Sequence, residues 1–163
     1  MKIRELLLAT FVPLSWGLGF TLSKLALTEF PPLMLMSIRF FIAAGVLIWF
    51  VPFPRNCMKD LFWVALVGST IQYGLTFTGL SMIDASLAII VVHLEVPFGI
   101  LLAVLLFRER PGIQRLLGMG IAFGGIVMIA GLPSVKGQLF AVALTGRGAM
   151  IWAIGQIMYK RIS

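Results

Sequence analysis

The sequence predicts an all-α membrane protein: a five-helix transmembrane repeat followed by the first helix of a second, inverted repeat. Of its 163 residues, 60% are hydrophobic and 12% are charged, against about 25% charged residues in soluble domains. The apolar residues form six runs of about the length that crosses a bilayer as a helix. A short motif in the first run recurs in the sixth. This composition excludes a water-soluble domain, and a single cysteine, Cys57, excludes an intrachain disulfide framework.

The six runs lie at about residues 6–27, 33–51, 61–80, 85–107, 113–132 and 139–159. Prolines and glycines fall between the runs, where helices are expected to stop. Asp84 directly precedes the fourth run and is expected to cap that helix, because its carboxylate can accept hydrogen bonds from the first free amides. The first run is too long for a signal peptide, so we expect an uncleaved span.

The basic residues predict the orientation of the helices. The loops on one side of the predicted membrane are rich in Lys and Arg, and such loops face the cytoplasm. This side carries Lys2, Arg4, Arg55, Lys59, Arg108, Arg110, Arg115, Lys160 and Arg161, whereas the other side carries Lys24 and Lys136. We therefore expect a multi-pass inner-membrane protein with a cytoplasmic N-terminus. On this interpretation the net charge of +7 reflects topology and indicates no nucleic-acid partner.

The fourth run carries His93, Glu95 and Pro97 near its middle. An ionisable side chain at bilayer depth costs roughly 2.5 to 3.5 kcal/mol, and such residues mark polar sites in membrane proteins. Pro97 leaves the His93 carbonyl without its helical donor and predicts a locally opened helix. Three polar residues of other runs lie at a similar depth, at about 1.5 Å rise per residue, namely Arg39, Gln72 and Arg147. The sequence predicts that all of them share a polar cavity.

Each candidate residue has a functional and a structural interpretation. Glu95 can take and release a proton in a transport cycle, or it can form a structural ion pair with Arg39 or Arg147. Arg39 can bind a substrate carboxylate through its planar guanidinium, or it can neutralise Glu95. His93 can titrate near neutral pH, or it can stay neutral and bond to a neighbouring helix. Trp16 can stack on a substrate, or it can pack in the bundle.

No enzyme chemistry, metal or cofactor is expected. His93 and Glu95 are two residues apart, so on a regular helix they point to nearly opposite faces. A metal site would require three or four converging ligands. Two further features have structural interpretations: Lys24 is expected to extend toward the lipid headgroups, and the G-x-x-x-G of Gly120 and Gly124 permits a close helix contact.

The recurring motif is W-x-x-G-x-x-x-x-K. It is formed by Trp16, Gly19 and Lys24 in the first run, and in the sixth run by Trp152, Gly155 and Lys160. An odd number of helices separates the two copies, so the second enters the membrane from the opposite side, as in the inverted repeats of transporters. We expect a five-helix repeat at residues 1–132, with residues 133–163 forming a loop and the first helix of a truncated second repeat.

Several motifs resemble one family. They are W-G-x-G-F with Lys24, P-P-L-x-x-x-x-x-R-F at residues 31–40, P-F-G-I-L-L-A-V-L-L-F-R-E-R-P at 97–111 and the glycine-rich run at 116–131. Over nearly its whole length the chain resembles the EamA family of the drug/metabolite transporter superfamily. The resemblance implies a ten-helix carrier of two inverted repeats that exports amino acids or similar small metabolites by alternating access. By this resemblance Trp16, Lys24, Arg39, Pro97 and Glu109 occupy family-typical positions, while His93 and Glu95 occupy variable ones that bear on substrate or coupling.

A member of that family continues for four more helices. We therefore expect either a missing second half or a homodimer, since the four-helix small multidrug resistance proteins of the same superfamily work as dimers. The partners expected are the lipid bilayer and a small-molecule metabolite. The alternative is a half-size membrane subunit that binds or supports a partner chain without transporting alone.

Overall fold

The computed structural model describes residues 3–51, 57–107, 111–130 and 136–162. Within these residues the chain forms six helices and no strand. The helices are α1 (Ile3–Ala26), α2 (Pro32–Leu47), α3 (Met58–Met82), α4 (Ala85–Phe107), α5 (Ile113–Ala130) and α6 (Leu139–Ile162). Each helix falls on one of the six apolar runs, so the predicted all-α membrane architecture is confirmed.

The lengths and surfaces of the helices suit a bilayer. Within the described residues, α3, α4 and most of α6 are long and apolar enough to cross a membrane, while α2 and α5 are shorter apolar helices. The predicted second run reached residue 51, but α2 ends at Leu47 and a turn follows. That turn carries Trp49, 84% exposed, and the exposed Phe50. Aromatic side chains of this kind are typical of the membrane interface. The turn therefore lengthens the segment around the short helix α2 that suits a membrane.

The sixth helix lies in the centre of the bundle and packs along α3 and both halves of α4. Small residues allow this contact. A Cβ atom built on Gly155 of α6 would lie 2.6 Å from the Cα of Gly68 in α3, so only glycine fits at this crossing. At Gly120 and Gly124, by contrast, the described residues make no close helix contact, because a Cβ at either position would meet no atom within 4 Å.

Two buried clusters fix α3, α4 and α6 against each other. One contains Phe77 and Leu80 of α3 and Ala88 of α4, together with Met36, Ile83 and Ala141. The other joins α4 to α6 through Val91, Leu94, Val142 and Ala149. The remaining helices lie around this centre, with much of their apolar surface exposed. In a membrane protein this surface contacts lipid, where it carries no cost.

The predicted cap of α4 is not formed, and the predictions on orientation and repeat division involve residues that the structure does not describe. Asp84 occupies the N-cap position of α4, but its side chain makes no capping hydrogen bond. Lys2, Arg55 and the segment 108–110, with Glu109, lie outside the described residues, as does the proposed division at residue 132. The orientation of the chain and its division into repeats therefore stay predictions.

Candidate functional site

The fourth helix is interrupted near its middle. Its two halves are Ala85–Val92 and Glu95–Phe107, separated by a turn at His93 and Leu94. In this turn the amide of Leu94 donates to the carbonyl oxygen of Val91 at 3.1 Å, and that of Val96 donates to the carbonyl oxygen of His93 at 3.2 Å. The His93 carbonyl, which has no donor at Pro97, thus accepts a hydrogen bond from the residue before the proline. The interruption satisfies a backbone group that would otherwise be unpaired at bilayer depth.

Glu95 lies at the start of the second half of α4. The free amides at the start of a helix form the positive end of its dipole, which favours a carboxylate there. Pro97 is buried in the same first turn, where the missing N–H costs no helical hydrogen bond. Glu95 is half-buried, and its side chain forms no hydrogen bond or ion pair with another described residue. Its carboxylate is therefore available to a ligand or a proton.

A cavity of about 150 Å³ lies beside Glu95 and is lined by side chains from α1, α2, α3, α4 and α6. Its aromatic lining residues are Trp16, Phe20, Tyr73, Phe77 and Trp152, and we call it the aromatic cavity. Its polar lining residues are Ser15, Arg39, Gln72, Thr76 and Glu95. The structure thus brings together four of the candidate residues that the sequence indicates: Trp16, Arg39, Gln72 and Glu95.

Contacts between aromatic rings connect three of the helices around this cavity. The ring of Phe20 stacks on that of Phe77 with centroids 6.1 Å apart, and Tyr73 stacks on Phe77 at 5.6 Å. Phe40 of α2 meets Tyr73 edge-on at 5.0 Å. Such pairs add roughly 0.5 to 1.5 kcal/mol each beyond their buried area. These ring contacts stabilise the apolar side of the aromatic cavity.

Gln72 is the most deeply buried polar candidate, with 6% of its surface exposed. It directly follows a π-helical turn at Leu66–Ile71, a local irregularity of α3 that is frequent at functional sites. Its Nε2 donates to Thr76 Oγ1 at 3.1 Å, whereas its buried Oε1 has no hydrogen-bond partner. Leaving such an acceptor unpaired costs roughly 1 to 3 kcal/mol. Gln72 lines the aromatic cavity, but its Oε1 is fully buried.

Two candidate residues lie away from this cavity. The side chain of His93 is exposed, and its Nδ1 lies 2.7 Å from the carbonyl oxygen of Ile89, to which it must donate because a carbonyl only accepts. Arg147 is exposed on α6. The expectation that all polar residues of this depth share one cavity is therefore corrected: depth follows from sequence spacing, but the direction of each side chain depends on helix rotation.

The structural ion pair that the sequence left open is not formed. Among the described residues, no ion pair joins Glu95 to Arg39 or to Arg147. Arg39 is exposed at the edge of the aromatic cavity. The cavity thus presents two opposite charges that do not neutralise each other directly.

A second cavity, of about 640 Å³, adjoins the aromatic cavity. The two share Glu95 and Trp152 as lining residues. The larger cavity runs past Gln156 to the basic residues Arg115 and Lys160. The ammonium of Lys160 lies 5.3 Å from the centroid of the Phe107 ring. Glu95 and Trp152 thus lie where the aromatic cavity adjoins the larger, basic one.

Sequence reasoning did not identify Tyr73, Thr76 and Phe77 as lining residues of this site. One signal was present: Gln72 and Thr76, like Tyr73 and Phe77, are spaced four residues apart, which places each pair on one helix face. The π-helical turn before them has no comparable signal. Within the described residues, no three His, Cys, Asp or Glu side chains come together in a way that could hold a metal ion.

These features define a class: a multi-pass helical membrane protein with an interrupted helix and a polar cavity at bilayer depth, an arrangement found in transporters. The chain belongs to the EamA-like transporter family, whose model matches residues 3–131. The resemblance predicted from its motifs is thereby confirmed. The family is one of transporters and not of enzymes.

The chain is similar to several curated proteins. It is 34% identical over 167 residues to a protein of Escherichia coli (strain K12) named "Probable amino-acid metabolite efflux pump", covering 99% of this chain and 55% of that protein. A protein of the same name from Salmonella typhimurium is 31% identical, with coverages of 99% and 55%. A transporter of Bacillus subtilis is 30% identical, with 98% and 55% covered. The chain thus spans about half the length of these relatives. No solved structure matches it.

Proposed function

We propose that the chain takes part in the export of amino acids or similar small metabolites across the inner membrane, and that the aromatic cavity is its substrate site. The observation that carries this proposal is the meeting of Trp16, Arg39, Gln72 and Glu95 around one cavity. Charged groups within membrane helices cost several kcal/mol, and direct ion pairing does not offset that cost here. The names of two relatives support amino-acid metabolites as the cargo.

Alternating access is the mechanism that this arrangement favours. Glu95 and Trp152 lie where the aromatic cavity adjoins the larger cavity, so a small movement of either side chain would connect them. The turn before Glu95 is a position at which the two halves of α4 can change their angle. In this proposal Glu95 carries coupling or charge balance, Arg39 contacts an anionic group, and Pro97 maintains the interrupted helix that lines the cavity.

The full pathway requires more protein than these six helices. Arg39 is exposed at the edge of the aromatic cavity, so the described residues do not close it on that side. We propose that an inverted second repeat, beginning with α6, completes the site, either within a longer chain or as a second copy in a homodimer. The relatives, which are nearly twice as long, support the first arrangement. The cytoplasmic N-terminus is part of the same proposal and is supported by the bias of Lys and Arg.

The test is flux through inside-out membrane vesicles that contain the protein, in which export is measured as uptake of radiolabelled amino acids. Glu95→Gln removes the charge but keeps the shape of the side chain, and we expect it to reduce uptake at least about tenfold, the effect of losing one charge-assisted contact. Glu29→Gln is the matched control, because Glu29 is exposed in the turn after α1. Both variants should insert normally in the membrane. Undiminished uptake by the Glu95→Gln variant would overturn the proposal.

A second candidate function is that of a half-size subunit that supports a partner chain. It is favoured by Arg147, which is exposed although it lies within the span of α6. A guanidinium that faced lipid there would be costly, so this face favours coverage by protein. Purification in mild detergent followed by native mass measurement distinguishes the two. If the same second membrane protein co-purifies in every preparation, and the chain alone gives no transport, the subunit function is favoured.

A further inference from the structure

The larger cavity is a groove between the second half of α4 and the last turns of α6. Its walls are mainly apolar, with Ile100 and Ala103 on the α4 side and Ile157 on the α6 side. A Cβ atom built on Gly99, in the α4 wall, would meet no atom within 4 Å. Val96, which also lines the groove, is 58% exposed. The groove is therefore open to the surface of the bundle and, in a membrane protein, to lipid.

Basic residues line one end of this groove, where α4 ends, α5 begins and α6 ends. Arg115 lies in the first turn of α5 and Lys160 near the end of α6, and both are exposed. The ammonium of Lys160 also lies over the ring of Phe107, the last residue of α4. Neither cation forms an ion pair with a described residue. Glu95, the acidic residue among the described lining residues, lies at the other end of the α4 wall. The basic end of the groove therefore attracts an anion.

The length of the groove matches one leaflet of a bilayer. At about 1.5 Å rise per residue, the α4 wall from Glu95 to Phe107 extends about 18 Å, and half of the hydrocarbon core of a bilayer is about 15 Å thick. The basic end therefore lies at the depth of the lipid headgroups when the apolar walls lie along the acyl chains. The volume of about 640 Å³ is roughly four times that of a cavity that holds one benzene ring, so an alkyl chain fits.

We propose that the larger cavity is a docking groove for an anionic phospholipid of the surrounding membrane. The lipid phosphate lies against Arg115 and Lys160, and one acyl chain lies along the apolar walls toward Gly99. Basic pockets between transmembrane helices bind anionic headgroups in this way. A zwitterionic headgroup is bound less tightly, because it carries a cation of its own that the two basic residues repel. The inference goes beyond the proposed function, which concerns the aromatic cavity.

A phospholipid suits this groove better than an apolar protein helix does. A helix that covered the groove would remove Arg115 and Lys160 from water, which costs free energy unless carboxylates pair with them. A phospholipid carries its anion at the end where the groove is basic and its alkyl chain where the groove is apolar. Both parts of the groove are thus satisfied by one molecule.

The experiment is native mass spectrometry of the detergent-purified, delipidated chain, titrated with phosphatidylglycerol or with phosphatidylcholine of the same acyl chains. We expect saturable binding of phosphatidylglycerol, about thirtyfold tighter than that of phosphatidylcholine, the combined effect of two basic residues at the membrane surface. Glycerol 3-phosphate has the phosphate but no acyl chain. In large excess it should not displace the bound phospholipid, because the apolar walls contribute to binding.

Variants then assign the contacts. Lys160→Gln and Arg115→Gln should each weaken phosphatidylglycerol binding about fivefold and reduce the preference for it. Lys59→Gln is the matched control, because Lys59 is an exposed lysine at the start of α3, on the side of the bundle where α4 ends. Gly99→Leu fills the groove and should weaken the binding of both lipids several-fold. Gly118→Leu, at an exposed glycine of α5 whose Cβ would meet no atom within 4 Å, should not.

Four results would overturn the inference. Equal binding of the two lipids by the unmodified chain would do so even if a variant does not fold. Displacement by glycerol 3-phosphate would show a site for a free anion, and equal losses in Lys59→Gln and Lys160→Gln would show attraction to the whole basic surface. A lipid-free dimer that Gly99→Leu dissociates and Gly118→Leu does not would show that a second copy covers the groove. Lipid binding is measured without transport, so its failure leaves the export function standing.

Discussion

The ammonium group of Lys24 donates a hydrogen bond to the backbone carbonyl oxygen of Leu80 at 2.9 Å and a second to that of Ser81 at 3.0 Å. These carbonyls lie at the end of α3, where the last residues of a helix have no helical donor. Lys24 lies near the end of α1 and is half-buried. Instead of extending to the headgroups as expected, it stabilises the negative end of the α3 dipole and fixes α1 to α3.

Replacing Lys24 by Met should lower the stability of the bundle. Hydrogen bonds from a charged group contribute roughly 1.5 to 3 kcal/mol, so the apparent Tm in detergent should fall by about 3 to 12 °C at about 2 to 4 °C per kcal/mol. Lys24→Arg keeps the charge and donors and should recover part of the loss. Lys59→Met is the control at an exposed lysine. If Lys24→Met and Lys59→Met have the same apparent Tm, Lys24 does not act as a cap of α3.

Replacing Gly155 by Ala should weaken the contact between α6 and α3. The added Cβ would lie 2.6 Å from the Cα of Gly68, and a backbone atom cannot move aside as a flexible side chain can. Overpacking of this kind costs roughly 1 to 3 kcal/mol. Gly120→Ala is the matched control, since its Cβ meets nothing within 4 Å and alanine favours a helix over glycine by about 1 kcal/mol. The apparent Tm should therefore fall for Gly155→Ala and rise for Gly120→Ala. If both variants shift the Tm in the same direction, the close contact between Gly155 and Gly68 is contradicted.

Replacing Trp152 by Ala should connect the two cavities. Trp152 lines both, and removal of its indole opens the place where they adjoin. The reporter is Thr76→Cys in a Cys57→Ser background, because Thr76 lines the aromatic cavity and is only 1% exposed. A hydrophilic maleimide applied to inside-out vesicles should label it several times faster when Trp152 is Ala. Trp49→Ala changes an exposed tryptophan and should have no such effect. Equal labelling rates would show that Trp152 does not separate the cavities.

Replacing Pro97 by Ala should close the interruption of α4. Alanine restores an N–H that can donate to the carbonyl of His93, which now accepts only from Val96. Hydrogen exchange of residues 93–98, followed by mass spectrometry, should slow by about tenfold, corresponding to an opening free energy raised by about 1.4 kcal/mol. Pro13→Ala changes another proline within a helix, α1, and should leave this segment unchanged. Unchanged exchange after Pro97→Ala would place the cause of the interruption elsewhere.

The sequence by itself determined the class of the protein and the approximate positions of the six helices that the described residues form. These features follow from apolar runs of about 20 residues, because a segment in lipid must satisfy its own backbone hydrogen bonds and therefore forms a helix. The interruption near Pro97 was predictable for the same local reason, since proline has no N–H. The presence of Arg39, Gln72 and Glu95 at a similar depth followed from the constant rise of a helix.

Only the tertiary structure decided which of these side chains meet. Glu95 lines the aromatic cavity while His93, two residues earlier, is exposed, and sequence spacing alone could not say which of the two faces inward. The rotation of each helix is set by contacts between distant segments, such as Gly68 with Gly155. The π-helical turn before Gln72 then shifts the face that α3 presents. The depth of a residue along its helix is a local property, whereas the direction of its side chain results from the packing of the whole bundle.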